Sequence, residues 1–235
     1  MVKGDIVALD HLLDNAEVDK IGAVRLDDWK DTPLWDKARQ LLPEPKSIIV
    51  LALEVLPEVI KYLTSQAQVG EIVLRDLFTR NVELVNGHLD WQAYKTVKKL
   101  HSLGFKGVPL PAGGAPFDNR FLEGTLSYKH AARAAGIGVL GWHSMLITPE
   151  YGTRVRLACV ITDALLLPSA PVVEEAPCPE CGGACIKICP ASAITKPQGN
   201  ETYKINSFAC NTYLNASGSC SECLKVCPAG RQNSR

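Results

Sequence analysis

The sequence lacks an excess of charge of either sign. Lysine and arginine together number 25, as do aspartate and glutamate, so the formal net charge at pH 7 is +0. A chain without a net positive field has no general attraction for nucleic acid or anionic lipid. This balance does not exclude a local basic patch, but we expect neither a nucleic-acid partner nor a membrane partner.

Long apolar runs and an export signal are also missing. The longest apolar stretch, around 47–56, is far short of the roughly 20 residues that a membrane helix needs. No charged segment followed by an apolar one opens the chain. We therefore predict a cytoplasmic protein, in which dense cysteines indicate metal-binding or redox sites rather than disulfides.

The first half of the chain shows a strand pattern followed by a helix pattern. Residues 47–55 are a continuous apolar run, typical of a buried strand, and helical periodicity extends from Pro57 to about Leu103. Asp90 is placed to cap a helix and Gly104 to end it. The apolar stripe of that helix recurs at three-residue steps: Trp91, Tyr94, Val97, Leu100 and Leu103.

The second half continues the alternation and then changes character. Residues 127–136 predict a helix, and 144–166 predict a hairpin around the turn PEYG. The proline-rich stretch 166–177 has the composition of a linker. We therefore predict an α/β or α+β domain at 1–170 and a small metal-binding domain at 171–235.

Eight of the nine cysteines fall in two runs that each end in a Cys-Pro step. The runs are Cys178, Cys181, Cys185, Cys189 and Cys210, Cys220, Cys223, Cys227. Eight thiolates match two [4Fe–4S] clusters, and in two-cluster ferredoxins the cysteine before proline binds the other cluster. This rule predicts one cluster on Cys178, Cys181, Cys185 and Cys227, and a second on Cys189, Cys210, Cys220 and Cys223.

The first run has one residue more than the usual ligand spacing. The spare residue falls at Gly182-Gly183, where positive φ angles allow a bulge at little steric cost. The alternative is a zinc site formed by the two C-x2-C pairs, which would leave four cysteines unexplained. A disulfide framework would leave one thiol unpaired.

Four further side chains are candidate functional groups outside the cysteine runs. His130 and His143 flank a glycine loop and are candidate proton donors or axial metal ligands, although a single histidine is more often a packing residue. Asp118 and Glu123 precede the predicted helix and are the nearest carboxylates to serve as acids. Cys159 alternates with apolar neighbours and is interpreted as a small buried hydrophobe.

The loop GIGVLG at 136–141 matches the dinucleotide fingerprint G-x-G-x-x-G letter for letter. That fingerprint requires a strand before it and a helix after it. Here a predicted helix precedes the loop and a β-rich run follows, so we reject a dinucleotide site.

Residues 131–166, AARAAGIGVLGWHSMLITPEYGTRVRLACVITDALL, followed by the two cysteine runs, resemble a known family. It is the cobalamin-dependent group of epoxyqueuosine reductases and respiratory reductive dehalogenases, and the resemblance covers roughly 45–230. It implies a nitroreductase-like three-layer α/β domain followed by a small bacterial-type dicluster ferredoxin domain. It also implies that electrons pass through two clusters to a corrinoid, so cobalamin is an expected cofactor.

By position in the family, one set of residues would line the corrinoid side: Gly136, Gly138, Gly141, Thr148 and Tyr151. Glu123 and His130 are then the candidate catalytic acids, although Glu123 does not lie in the motif that the family uses. Since the sequence stops eight residues after Cys227, we expect no helical-repeat extension of the type with which epoxyqueuosine reductases engage tRNA.

Three function hypotheses follow. The first is an iron–sulfur oxidoreductase that receives electrons from a ferredoxin-like or flavodoxin-like donor and acts on a small molecule or a corrinoid. The second is a dicluster electron-transfer partner, or corrinoid-reducing protein, without a substrate of its own. The third is a zinc-stabilised structural domain. A homodimer remains open, and the sequence names neither the substrate nor the donor.

Overall fold

The computed structural model describes residues 6–13, 15–61, 71–113, 116–172, 175–217 and 220–230 of the chain. Its helices are α1 Leu9–Leu13, α2 Pro33–Leu41, α3 Pro57–Lys61, α4 Glu71–Ser102, α5 Tyr128–Ala134, α6 Ala184–Ile188, α7 Ser207–Ala216 and α8 Glu222–Val226. Its strands are β1 Lys20–Arg25, β2 Ser47–Glu54, β3 Gly107–Leu110, β4 Phe117–Asp118, β5 Glu123–Gly124, β6 Val139–Leu140, β7 Leu146–Ile147, β8 Val155–Thr162, β9 Ile194–Thr195 and β10 Lys204–Ile205. The fold is mixed α/β, as the sequence predicts.

The main sheet has four strands in the order β1-β2-β8-β3. β1 pairs antiparallel with β2, with Ala23 opposite Ile49, and β3 pairs antiparallel with β8, with Leu110 opposite Cys159. The first six residues of β2 are buried, which confirms the strand predicted at 47–55. A near-continuous apolar run suits a central strand that is covered on both faces.

The hydrophobic core lies between this sheet and helix α4. Its α4 members are Leu89, Ala93, Val97 and Leu100, which meet β-strand residues such as Ile49 and Val160. These helix positions follow the three-to-four residue spacing of one buried face. Of the predicted stripe, Trp91 and Tyr94 are instead 57% and 47% exposed, with their rings stacked at a centroid separation of 5.6 Å.

The end of α4 is predicted correctly but the position of Asp90 is not. Gly104 has φ +84°, and the amide of Phe105 donates to the carbonyl of Leu100, as in a Schellman motif. Asp90 lies inside α4 rather than at its start. Its carboxylate accepts hydrogen bonds from the amides of Ala112 and Gly113, at 2.6 and 3.5 Å, so it anchors a loop instead of capping a helix.

The hairpin predicted at 144–166 is wrong. β7 pairs antiparallel with β6, whereas β8 pairs with β3 in the main sheet. Between β7 and β8, Thr148 and Gly152 form only an isolated bridge. The two residues of β7 take their partners from β6, so the PEYG turn does not join β7 to β8 in a hairpin.

Two compact units account for the contacts within the chain. The first comprises the described residues within Met1–Leu53, Glu83–Ile137 and Arg156–Val172, and the second those within Glu54–Val82, Gly138–Val155 and Val173–Arg235. These units group contacts and do not define domains, so the division at residue 170 stays a prediction. Among the described helices, none combines the length and the apolar composition needed to cross a membrane.

Candidate iron–sulfur site

Two short helices carry equivalent parts of the two cysteine runs. Cys189 directly follows α6 and Cys227 directly follows α8, and both cysteines precede a proline. Their backbone angles are nearly the same, with φ −61° and ψ 109° at Cys189 and φ −62° and ψ 119° at Cys227. Proline excludes the helical conformation from the residue before it, which explains why each helix stops there. α6 also packs directly against α8.

The first group of thiols surrounds Cys185. Burial raises the pKa of the Cys185 thiol to about 11, and the neighbouring Cys178, Cys181 and Cys227 add to this increase. The same three residues complete the set predicted for the first cluster. Thiolates that lie close to one another are stabilised by a cationic metal core.

A second group surrounds Cys223 and Cys210. Burial raises the pKa of Cys223 to about 12, with added repulsion from Cys220, Cys210 and Cys185. The pKa of Cys210 is raised by burial and then by Cys189 and Cys220. The structure therefore brings the four cysteines predicted for the second cluster near one another, and Cys185 of the first group lies beside them.

Backbone amides point at two of the predicted ligands. The amide of Trp142 donates to Cys178 Sγ at 3.4 Å, and that of Ala193 donates to Cys189 Sγ at 3.3 Å. Hydrogen bonds from backbone amides to cysteine sulfur are one of the means by which proteins set the reduction potential of a cluster. The donor set, its spacing along the chain and these amides fit two iron–sulfur clusters.

A single metal ion has no preformed site in the part of the chain that the structure describes. No three His, Cys, Asp or Glu side chains there converge on one ion, as four thiolates at about 2.3 Å would around zinc. All nine cysteines are free thiols in the structure.

Cys159 belongs to the main sheet and to neither cysteine run. It is fully buried in β8, and burial raises its pKa far above that of an ordinary thiol. The side chain behaves as a small core residue, as predicted.

The glycines of the loop 136–141 contact the chain's own atoms. A Cβ on Gly136, whose φ is +68°, would lie 1.9 Å from the carbonyl oxygen of Ala170, and one on Gly138 would lie 2.3 Å from that of Ile147. At Gly141 a Cβ would come within 2.6 Å of His143. Helix α5 precedes the motif, strand β6 lies within it and strand β7 follows it. No helix begins among these described residues, so the dinucleotide fingerprint is excluded.

Buried polar groups concentrate in the segment that follows these glycines. The Thr148 hydroxyl accepts from the amide of Tyr151 at 3.0 Å and donates to the carbonyl of Gly152 at 3.3 Å. His143 Nδ1 accepts from the amide of Met145 at 3.1 Å. Two buried atoms, His143 Nε2 and Thr153 Oγ1, have no hydrogen-bond partner among the described residues. Such orphan atoms are where a polar ligand would bind.

Glu123 lines an open cavity of about 640 Å³. The cavity lies between α2 and the short β4–β5 hairpin, and Lys37 Nζ is 3.5 Å from Glu123 Oε2. Asp118 lies in the same wall but is held by Arg120, whose Nε and Nη2 donate to its two carboxylate oxygens at 3.1 and 2.8 Å. That contact lowers the pKa of Asp118, so Asp118 is a poor proton donor.

His130 lies on α5, with Nδ1 2.6 Å from the Ser127 hydroxyl. Burial lowers its pKa, and the positive charges of Lys129 and Arg133 lower it further. A neutral imidazole accepts a proton more readily than it supplies one at neutral pH. The catalytic roles predicted for Glu123 and His130 stay predictions.

Comparisons with known proteins find relatives of two named kinds. The chain is 28% identical over 207 residues to epoxyqueuosine reductase from Bacillus cereus, which covers 81% of the chain. It is 30% identical over 218 residues to tetrachloroethene reductive dehalogenase from Desulfitobacterium hafniense, which covers 84%. The chain belongs to the epoxyqueuosine reductase and reductive dehalogenase family. No family model matches it.

The solved structures of this family share its fold. A catabolic reductive dehalogenase superposes with a TM-score of 0.69 over 92% of the chain at 16% identity. The chain spans 50% of the Bacillus cereus epoxyqueuosine reductase and 35% of the Desulfitobacterium hafniense dehalogenase. It thus corresponds in length to part of each of these family members.

One structural neighbour conflicts with our expectation about nucleic acid. An epoxyqueuosine reductase solved with a tRNA stem loop matches 95% of the chain with a TM-score of 0.58 and 23% identity, and the match covers 65% of that protein. The prediction that no nucleic acid is involved rested on a net charge of zero, which excludes a general field but not local contacts.

The sequence analysis did not identify the contacts of Trp142. Its amide donates a hydrogen bond to Cys178 Sγ, and its ring lies against Gly183 of the first cysteine run. No spacing rule links residue 142 to a cysteine 36 positions later. The only signal was an aromatic residue directly after the glycine loop.

Proposed function

We propose that this chain is an iron–sulfur oxidoreductase that passes electrons through two [4Fe–4S] clusters to a site in its α/β part. The observation that carries the proposal is that cysteines of both runs lie near one another, around Cys185 and around Cys223 with Cys210. The division into two sets of four follows the cysteine order. Relatives named as reductases of two kinds support the reaction class.

The ligands proposed for the clusters are those that the cysteine order predicts. Cys178, Cys181, Cys185 and Cys227 would hold the first cluster, and Cys189, Cys210, Cys220 and Cys223 the second. Each cluster, when bound, supplies a one-electron relay. The protein's contribution is to bring thiolates from α6 and α8 together, since these helices pack against each other, and to place amides against Cys178 and Cys189.

Cobalamin is the proposed acceptor within the chain, and the corrinoid would face the segment 138–155. Two buried polar atoms there, His143 Nε2 and Thr153 Oγ1, lack partners among the described residues and suit a polar ligand. When bound, cobalamin supplies a metal centre that reduces the substrate. Glu123, beside a cavity of about 640 Å³, is the proposed proton donor. The lowered pKa of His130 suits a proton acceptor, which is the role proposed for it.

A relay without a substrate is the second candidate function. It is favoured by the glycines at 136, 138 and 141, because the atoms that a side chain there would meet belong to the chain itself. These glycines are therefore explained without a corrinoid. The proposed partners are a ferredoxin-like or flavodoxin-like electron donor and a small-molecule or corrinoid acceptor. The proposed compartment is the cytoplasm, and a homodimer is a further proposed assembly.

Cobalamin titration separates the two functions. The protein, purified without oxygen, is mixed with cobalamin and its visible spectrum is followed before and after chemical reduction. A saturable change in the corrinoid bands, lost in H143F but kept in H101F, supports the enzyme. Unchanged corrinoid bands at all ratios overturn cobalamin binding and leave the relay.

A further inference from the structure

The loop at 141–144 contacts the first cysteine run at two points. The Trp142 amide donates to Cys178 Sγ at 3.4 Å. The Trp142 ring lies against Gly183, because a Cβ added there would be 3.2 Å from ring atom Cζ3 and 3.4 Å from Cε3. Backbone and ring of one residue therefore meet both the first ligand and the stretch between the second and third ligands.

The extra residue of the first run provides the surface that receives this ring. Gly182 and Gly183 have φ of +64° and +70°, a left-handed conformation that glycine adopts without strain. A side chain at Gly183 would also press on Ile186, with a Cβ 3.0 Å from its Cδ1. The extra residue between Cys181 and Cys185 therefore packs against Trp142, which lies in a distant part of the sequence.

The loop that presents Trp142 is held from both sides. The Gly141 amide donates to the carbonyl of Met145 at 3.0 Å, and the Ser144 amide donates to the carbonyl of Gly141 at 2.8 Å. Lys196 Nζ lies 5.7 Å from the centroid of the Trp142 ring, within the range of a cation–π contact. A tight turn and a charged neighbour thus fix the ring's position.

We infer that Trp142 is a positioning residue for the first cluster: its ring shields the ligand run from water and its amide holds Cys178. This inference rests on the proposed function, since it assigns a role toward a cluster. Hydrogen bonds to sulfur and exposure to solvent both set a cluster's potential. Water stabilises the more negative reduced state, so exposure raises the potential.

The test compares the full chain with W142A, W142F and W91A after anaerobic cluster assembly. W142A keeps the amide and loses the ring. We expect one of the two clusters to bleach several-fold faster in air and to show a higher midpoint potential in an EPR-monitored titration. W142F, which retains a ring, should restore most of both properties. Trp91, an exposed residue of α4, serves as the matched control and W91A should match the unmodified chain.

The outcomes separate this inference from the proposed function. Normal iron content in W142A with unchanged bleaching and potentials overturns the role of Trp142 and leaves the proposed function standing. Absence of iron from the unmodified chain overturns the proposed function itself. If W142A fails to assemble, W142F decides: a variant that loses iron or bleaches rapidly despite its ring contradicts shielding, and one that matches the unmodified chain supports it.

Discussion

At the residue scale, the glycines have clearly different reasons for being glycine. Gly136 combines a φ of +68° with a backbone oxygen 1.9 Å from where a Cβ would stand, whereas Gly87 in α4 has no heavy atom within 4 Å of that point. The first position is closed to side chains by both conformation and space. The second is open, and its glycine only weakens the helix.

G136A and G87A should therefore change stability in opposite directions. We expect G136A to lower the free energy of unfolding by about 3 kcal/mol or more, because strain and displaced backbone add. G87A should raise it by about 0.5–1 kcal/mol through helix propensity. Urea unfolding of both variants measures this, and a tolerated G136A would contradict the packing at Ala170.

His143 is the residue with the clearest pH dependence. Burial lowers the pKa of its imidazole to about 4, from an ordinary 6.5. The unfolded chain therefore takes up the proton first as the pH falls. The contribution of His143 to the free energy of unfolding is complete above about pH 6.5. It is lost as the pH falls toward 4, which lowers the free energy of unfolding by up to about 3 kcal/mol.

Removing this titration should flatten that part of the stability curve. H143Q is expected to lose less stability than the unmodified chain between pH 6.5 and 4, measured by denaturant unfolding at each pH. H101Q, which removes an exposed histidine from the end of α4, controls for histidine removal. An H143Q curve parallel to that of the unmodified chain would show that His143 is not buried as described.

At the element scale, α4 shows how far periodicity carries. The buried strand β2 and the glycine that ends α4 could be predicted because each depends on its own residues. The start of α4 could not be predicted from Asp90. Its carboxylate accepts a hydrogen bond from the amide of Ala112, and this contact depends on the tertiary fold. The rotation of the helix was also wrong for Trp91 and Tyr94, because three-residue steps drift around a 3.6-residue turn.

The face of α4 assigned to the core makes a direct prediction. Leu100 is fully buried, whereas Leu84 on the same helix is 73% exposed. L100A should lower the free energy of unfolding by about 2–5 kcal/mol, and L84A by no more than about 0.5 kcal/mol. Equal effects in thermal unfolding would contradict the orientation of the helix.

Pairing of short strands lies beyond local pattern. The PEYG turn looked like the centre of a hairpin because β-rich residues flank it. In the structure β7 pairs with β6 and β8 joins the main sheet. A strand of two residues is too short for its sequence to indicate its partner. The bulge at Gly182-Gly183 could be predicted from the two glycines. The contact of the Trp142 ring with Gly183 could not.

On the scale of the whole molecule, the order of cysteines predicts which thiols come together. Each set takes its last member from the other run, and the packing of α6 against α8 gives this exchange a physical basis. The chain belongs to a family of reductases and spans 35% of a dehalogenase relative.

Single cysteine variants test the membership of the sets. C185S should lose one cluster, so that iron falls from about eight to about four atoms per chain, because Cys185 lies at the centre of the first group. C159S should keep all of its iron, since that thiol is buried in β8. Loss of iron from C159S, or none from C185S, would show that the ligand sets are wrong.

The most direct test of the account is the metal and sulfide content of the unmodified chain purified without oxygen. Two clusters predict about eight iron and eight acid-labile sulfide atoms per chain, with little zinc. About four iron atoms or fewer after full reconstitution, or zinc in place of iron, would contradict the two-cluster site.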